Sequence, residues 1–164
     1  YAMLKSGRLK AAQACNWQQC SESNTWPAYV DSKGLDTVGI GHLITGQEIC
    51  DAYAGLTDAQ VFEQFEQDIQ THLNAARSLA DEKGMQIAGN VVVQRFMTEM
   101  CFNIGAGKYR GFKNGLKKLA SAVNGDRGFT YNQAADEHLD SNWAKQVKSR
   151  AIEMTDTLRA LDQA

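Results

Sequence analysis

The sequence predicts an α+β domain in which helix dominates, and three features carry that expectation. Residues 24–45, NTWPAYVDSKGLDTVGIGHLIT, hold the one stretch with turn signals and β-branched residues interleaved, the mark of a small twisted antiparallel hairpin region. Residues 57–82 place apolar side chains at Val61, Phe62, Phe65, Ile69, Leu73, Ala76 and Ala80, in the steps of three and four that define one face of a long helix. The remaining C-terminal stretch alternates helix formers with short Gly-rich links, as in a helical bundle.

The elements follow in order. LKSGRLKAAQACNWQQ, within residues 3–20, has helix formers and few β-branched residues and reads as a first helix. The hairpin region follows and contains the single proline, Pro27. Thr57 and Gln60 form a capping box at the start of the long helix, each satisfying a backbone amide that the helix leaves orphaned. Gly84 lies at its expected end. Further helices are expected over about 90–104, 112–123, 131–141 and 144–161.

Length and composition bound the function. A chain of 164 residues is about one domain and buries roughly 69% of its unfolded surface, enough for a core without a metal or a staple. Seventeen bases against 19 acids leave a net charge of −2, with 43% apolar residues. That excludes the disordered class and argues against a nucleic-acid binder, which is strongly basic. No apolar run reaches the ~20 residues of a membrane span. The start, YAMLKSGRLK, has no leading Met and no apolar signal region, so no signal peptide is read here; the expectation is an excised domain or a processed product.

Charge is uneven. Residues 47–82 carry eight acids against one base, Arg77, whereas Lys108, Arg110, Lys113, Lys117 and Lys118 stand together without an acid. Each run reads as a solvated helix face, or, for the basic one, as an attractor of an anionic polymer. Of the four cysteines, Cys101 sits in an apolar stretch and reads as a small buried hydrophobe. Cys15 and Cys20 are five apart, on different faces of a helix. A bridge from Cys50 to either is open in an oxidising compartment. No cysteine or histidine spacing fits a zinc site, and no metal is expected.

The chemistry concentrates in Glu22-SNTWPAYV-Asp31-SKGLD-Thr37-VGIG-His42. Glu22 falls where the first helix runs out, Asp31 and Thr37 fall in the hairpin region, and a helix end facing a hairpin makes a cleft wall. The spacings from Glu to Asp, Asp to Thr and Thr to His are nine, six and five residues. Together with the string Thr37-Val38-Gly39-Ile40-Gly41-His42, they resemble the catalytic signature of the phage-type lysozymes. The likeness continues through Asp68 in FEQFEQDIQTHL, Phe102-Asn103-Ile104-Gly105 with Phe112, and Trp143 with Arg150, covering about residues 13–160.

The resemblance implies a lysozyme-like fold: a small hairpin lobe over about 22–56, a connecting helix over 57–82, and a helical lobe from 1–21 and 83–164. It implies Glu22 as general acid, its pKa raised by desolvation and by Asp31 and opposed by a buried partner, Arg150. Asp31 is then the carboxylate that stabilises oxocarbenium charge, and Thr37 holds the attacking water. Because the family inverts, the two carboxyl groups are expected about 6.5–9.5 Å apart. His42 with Asp68 is an ion pair tying hairpin to helix, and Trp143 and Arg150, which match the family's C-terminal Trp and Arg, are further structural-support residues. Leu43 and Phe102 fall on positions lining the sugar cleft or serve as core. Gly115 and Glu137 fall where the family makes polar substrate contacts. His72 and His138 are left as surface or packing residues.

The chain departs from the pattern at Ser23, where the family has Gly, and in a short segment from His42 to Asp68 that trims the small lobe around Cys50. The expected function is muramidase hydrolysis of the β-1,4 bond between N-acetylmuramic acid and N-acetylglucosamine in peptidoglycan, with no cofactor. The rivals are a lytic transglycosylase, a non-catalytic wall-binding module of the same fold and a chitin-type hydrolase. The expected partners are peptidoglycan glycan strands and an inhibitor or immunity protein, for a monomer acting in the periplasm or on the cell wall. The expected origin is a toxin or effector, a phage-tail component or an endolysin.

Overall fold

The computed structural model describes Trp26 and residues 28–31, 33–44 and 55–163. The expected helix over 3–20, Glu22, Cys15, Cys20 and Cys50 lie outside the described residues. The chain divides into two compact units, residues 1–68 and 69–164, and the division falls inside a helix, α1 (Asp58–Glu82).

The first unit holds a three-stranded antiparallel sheet in the order β1 (Tyr29–Val30), β2 (Asp36–Val38), β3 (His42–Leu43). Tyr29 faces Thr37 and Val30 faces Asp36; on the other side of β2, Thr37 faces Leu43 and Val38 faces His42. The hairpin region is therefore two successive tight hairpins. In the first, the Gly34 amide donates to the Asp31 carbonyl at 3.0 Å and the Asp31 amide to the Leu35 carbonyl at 2.9 Å. Gly34 itself has φ +77°. A turn followed by a left-handed glycine is a common three-residue hairpin loop, and Asp-x-x-Gly is its sequence sign.

The second turn brings Gly39 against α1. Val38 and Val61 are each only 1% exposed, and a Cβ on Gly39 would sit 3.1 Å from Val61 Cγ1. Gly39 also has φ +57°, where a side chain costs roughly 1–2 kcal/mol. Gly39→Ala is thus expected to destabilise the protein by about 2 kcal/mol, read as a lower urea midpoint; an unchanged midpoint would mean that Val61 and the turn yield freely.

α1 begins as its capping box requires: the Thr57 amide donates to Gln60 Oε1 at 2.9 Å and the Gln60 amide to Thr57 Oγ1 at 3.3 Å. Trp26 is held at the same place. Its backbone bridges to Leu56 in both directions, and its indole N–H donates to Asp58 Oδ1 at 2.7 Å. Gly84, at φ +66°, follows the end of the helix.

The second unit is helical: the remainder of α1, then α2 (Val91–Ile104), α3 (Ala106–Tyr109), α4 (Lys113–Asn124), α5 (Tyr131–Leu139), α6 (Asn142–Val147), α7 (Ser149–Arg159) and a 3-10 turn (Ala160–Asp162). Asn90 caps α2 by accepting from the Val93 amide, and Thr130 with Gln133 forms a second capping box at α5. One apolar cluster joins Leu79, Phe96, Met97, Met100, Tyr109, Leu116, Leu119, Met154 and Leu158. Cys101 belongs to it as a buried free thiol, its pKa pushed up to about 11 by burial.

Two expected spans are corrected. The helix over 144–161 is two helices. Lys148 takes φ +47° and ψ −112°, and its amide donates to the Ala144 carbonyl, closing α6. The helix over 131–141 ends at Leu139, because Ser141 turns to cap α6 through the Ala144 amide at 3.1 Å.

Candidate active site

In the first unit, the backbone of one residue, Leu35, organises two of the expected site residues. The Leu35 amide donates to Asp31 Oδ1 at 2.9 Å, and the Lys33 amide donates to the same oxygen at 2.8 Å. The Leu35 carbonyl accepts from Thr37 Oγ1 at 3.1 Å as well as from the Asp31 amide. Asp31 Oδ1 is thereby fixed by the turn that the sequence forms, whereas Oδ2 has no donor among the described residues. Thr37 is 4% exposed. Its hydroxyl proton is committed to Leu35, so its lone pairs are what it can offer to a water. Tyr29 is Thr37's cross-strand neighbour, which puts their side chains on one face of the sheet. Its phenol pKa is raised, first by burial and then by the Asp31 charge.

His42 Nδ1 lies 3.0 Å from Asp68 Oδ2, both side chains about one-fifth exposed, and Gln64 Nε2 donates to Asp68 Oδ1 at 3.3 Å. This pair joins β3 to α1. Leu43 is 46% exposed, so it is not a core residue.

The second unit holds the other expected residues. Phe102 is half-buried, its ring edge-to-face with His72 at 5.2 Å. Glu137 receives Lys118 Nζ at 2.5 Å, and that hydrogen bond is the main reason its carboxyl sits below the usual range. Trp143 is buried, and its indole N–H has no acceptor among the described residues.

Two expectations are corrected here. Gly115 is turned inward. It is buried, and a Cβ would sit 2.8 Å from His138 Cε1, so its missing side chain serves the close approach of α4 to α5 instead of offering a polar contact to substrate. Arg150 is exposed, not buried. The inward stripe of α7 is Ala151, Met154, Thr155 and Leu158, and Arg150 precedes it by one residue, about 100° around the helix. It lines an open cavity of about 390 Å³ with Arg95, Glu99 and Glu153.

His138, left as a surface or packing residue, is a packing residue with full burial. Its Nδ1 lies 2.8 Å from the Ala134 carbonyl and its Nε2 3.2 Å from the Tyr109 hydroxyl. A carbonyl only accepts, so Nδ1 carries the proton and Nε2 accepts from Tyr109. Burial pulls its pKa down to about 4, against the opposing pull of the Ala134 carbonyl and the Glu137 charge.

What sequence reasoning missed is the role of Leu35, which acts through its backbone N–H and C=O and not its side chain. The signal was present in the Asp31-to-Gly34 turn spacing.

The sequence model of the phage lysozymes matches residues 19–154, which include the sheet, Asp31, Thr37, His42, Asp68 and the helices from α1 to α6. The chain belongs to the phage lysozyme family. The mostly helical chain with its small three-stranded sheet has the family's α+β lysozyme-like fold. Membership supports a peptidoglycan hydrolase-type function directed at the bacterial cell wall. No curated protein matches the chain. No helix among the described residues is long and apolar enough to cross a membrane.

Proposed function

We propose that this phage lysozyme family member is a muramidase. It hydrolyses the β-1,4 bond between N-acetylmuramic acid and N-acetylglucosamine with inversion, in the periplasm or on the wall where that polymer lies. The observation that carries the reading is the Leu35 clamp. It holds a carboxylate whose Oδ2 has no donor among the described residues, at the turn that also orders the Thr37 hydroxyl. Glu22, carried over from the family signature, is the general acid and gives its proton to the leaving glycosidic oxygen. A water accepted by Thr37 attacks the anomeric carbon from the opposite face. The Asp31 carboxylate balances the positive charge that develops there and takes the proton that the water sheds. His42 and Asp68 hold the hairpin on α1 and take no part in proton transfer.

The test is digestion of purified peptidoglycan by the wild type and by Glu22→Gln, with products identified by mass spectrometry. Reducing muropeptides from the wild type, reduced by about 10²–10⁴-fold in the variant, are expected. Products ending in 1,6-anhydro sugars would assign a lytic transglycosylase instead. Wall binding without any product would assign a recognition module.

A further inference from the structure

The basic run over residues 108–118 is not a uniformly solvated face. Arg110 is paired with Glu82 at 2.9 Å and Lys118 with Glu137. Lys113 and Lys117 are exposed and have no carboxylate partner among the described residues. Both line a groove of about 510 Å³, together with Lys83 on the facing side, whose own partner is the neighbouring Glu82 at 3.0 Å. The apolar floor open to solvent is Ala120 and Phe129, because Leu116 is fully buried. Lys117 Nζ stands 6.0 Å from the centre of the Phe129 ring. The acid in the groove, Asp126, is engaged by the Ser121 hydroxyl and by the Gly128 amide at 3.2 Å.

We propose that this groove is an accessory binding site for the stem peptides of peptidoglycan, with Lys113 and Lys117 receiving their carboxylates and the Ala120–Phe129 floor receiving their small apolar side chains. The charge complementarity is direct, because glycan strands are neutral along the sugar backbone and carry their negative charge on these peptides. Point-like ammonium groups around an apolar floor suit a short peptide with both carboxylates and methyl groups. A polyphosphate chain would leave the floor unused. The proposal rests on peptidoglycan as the polymer acted on, but not on the chemistry assigned to Asp31 and Thr37.

The experiment uses sacculi stripped of phosphate polymers, with their carboxylates either free or capped as amides. Co-sedimentation in the cold compares the wild type with Lys113→Gln/Lys117→Gln at low and high salt. The wild type is expected to bind free-carboxylate sacculi about tenfold more tightly than the double variant, the size of two exposed ion pairs. The difference should vanish on amidated sacculi and at high salt, with equal cleavage of a peptide-free soluble glycan by both proteins. Equal binding by the two proteins would overturn the proposal. So would a wild-type advantage that survives amidation, or one seen only on sacculi that retain their phosphate polymers. Absence of cleavage by both proteins would count against the muramidase reading and leave the binding ratio to decide this one.

Discussion

Asp31→Asn is expected to lower peptidoglycan hydrolysis by about 10²–10³-fold, the loss typical of removing one preorganised electrostatic group from a transition state, while the protein stays folded. The substitution separates charge from structure. An asparagine Oδ1 can still accept from the Lys33 and Leu35 amides that hold Asp31 at 2.8 and 2.9 Å, so the turn and the Leu35 contact to Thr37 survive. Only the negative charge goes. A second readout comes from Tyr29, whose phenol is held up by burial and then by the Asp31 charge. Its absorbance titration should move to lower pH in the variant. A variant with wild-type turnover would remove Asp31 from the chemistry. Lost activity with a collapsed melting transition would show that the carboxylate is needed by the hairpin itself.

The second large effect is an acid-sensitive core. Above the ordinary histidine pKa of 6.5, His138 is neutral in both folded and unfolded chains and its titration contributes nothing to stability differences. As pH falls from 6.5 towards its folded value of about 4, the unfolded chain takes up a proton that the folded chain refuses. Stability must therefore fall through that window, by about 3 kcal/mol at its lower end. In His138→Gln this component disappears, so the difference in unfolding free energy between pH 7 and pH 4 should shrink by about 3 kcal/mol relative to the wild type, measured by urea denaturation. The variant will also be less stable at pH 7, because the ring's contacts with Phe96 and Phe112 are lost. Parallel pH curves for the two proteins would show that His138 takes up its proton in the folded state.

The site was legible where chemistry follows the chain locally. The Asp31-to-Gly34 spacing encodes a turn, and the Thr57–Gln60 box encodes the start of α1, because both rest on hydrogen bonds between residues a few positions apart. The family signature from Glu22 to His42 is legible for the same reason: its residues occupy one continuous stretch. Arg150 was not legible. Its burial depends on which stripe of α7 the core takes, and Ala151, Met154 and Leu158 took the neighbouring one.

Helix and strand content, the helix starts at Thr57 and Asn90 and the hairpin turns thus follow from local sequence, since propensity, capping and turn geometry act over a few residues, whereas the candidate catalytic set came from the resemblance to the phage-type lysozymes. The packing inside the helical unit was decided only in three dimensions. Lys148 is an ordinary lysine by composition, yet it breaks the last long helix at φ +47°, between Ala144 on one side and Ala151 on the other, both of which the core buries. His138 carries no motif, and it becomes an acid-sensitive residue because Tyr109, Phe96 and the bare Gly115 close around it. Within the basic run, Lys113 and Lys117 are left without a carboxylate partner among the described residues, while Glu82 and Glu137, 28 and 19 residues from their partners, neutralise Arg110 and Lys118. Burial and pairing are long-range quantities, fixed by which surfaces meet and not by the order of residues along any one helix.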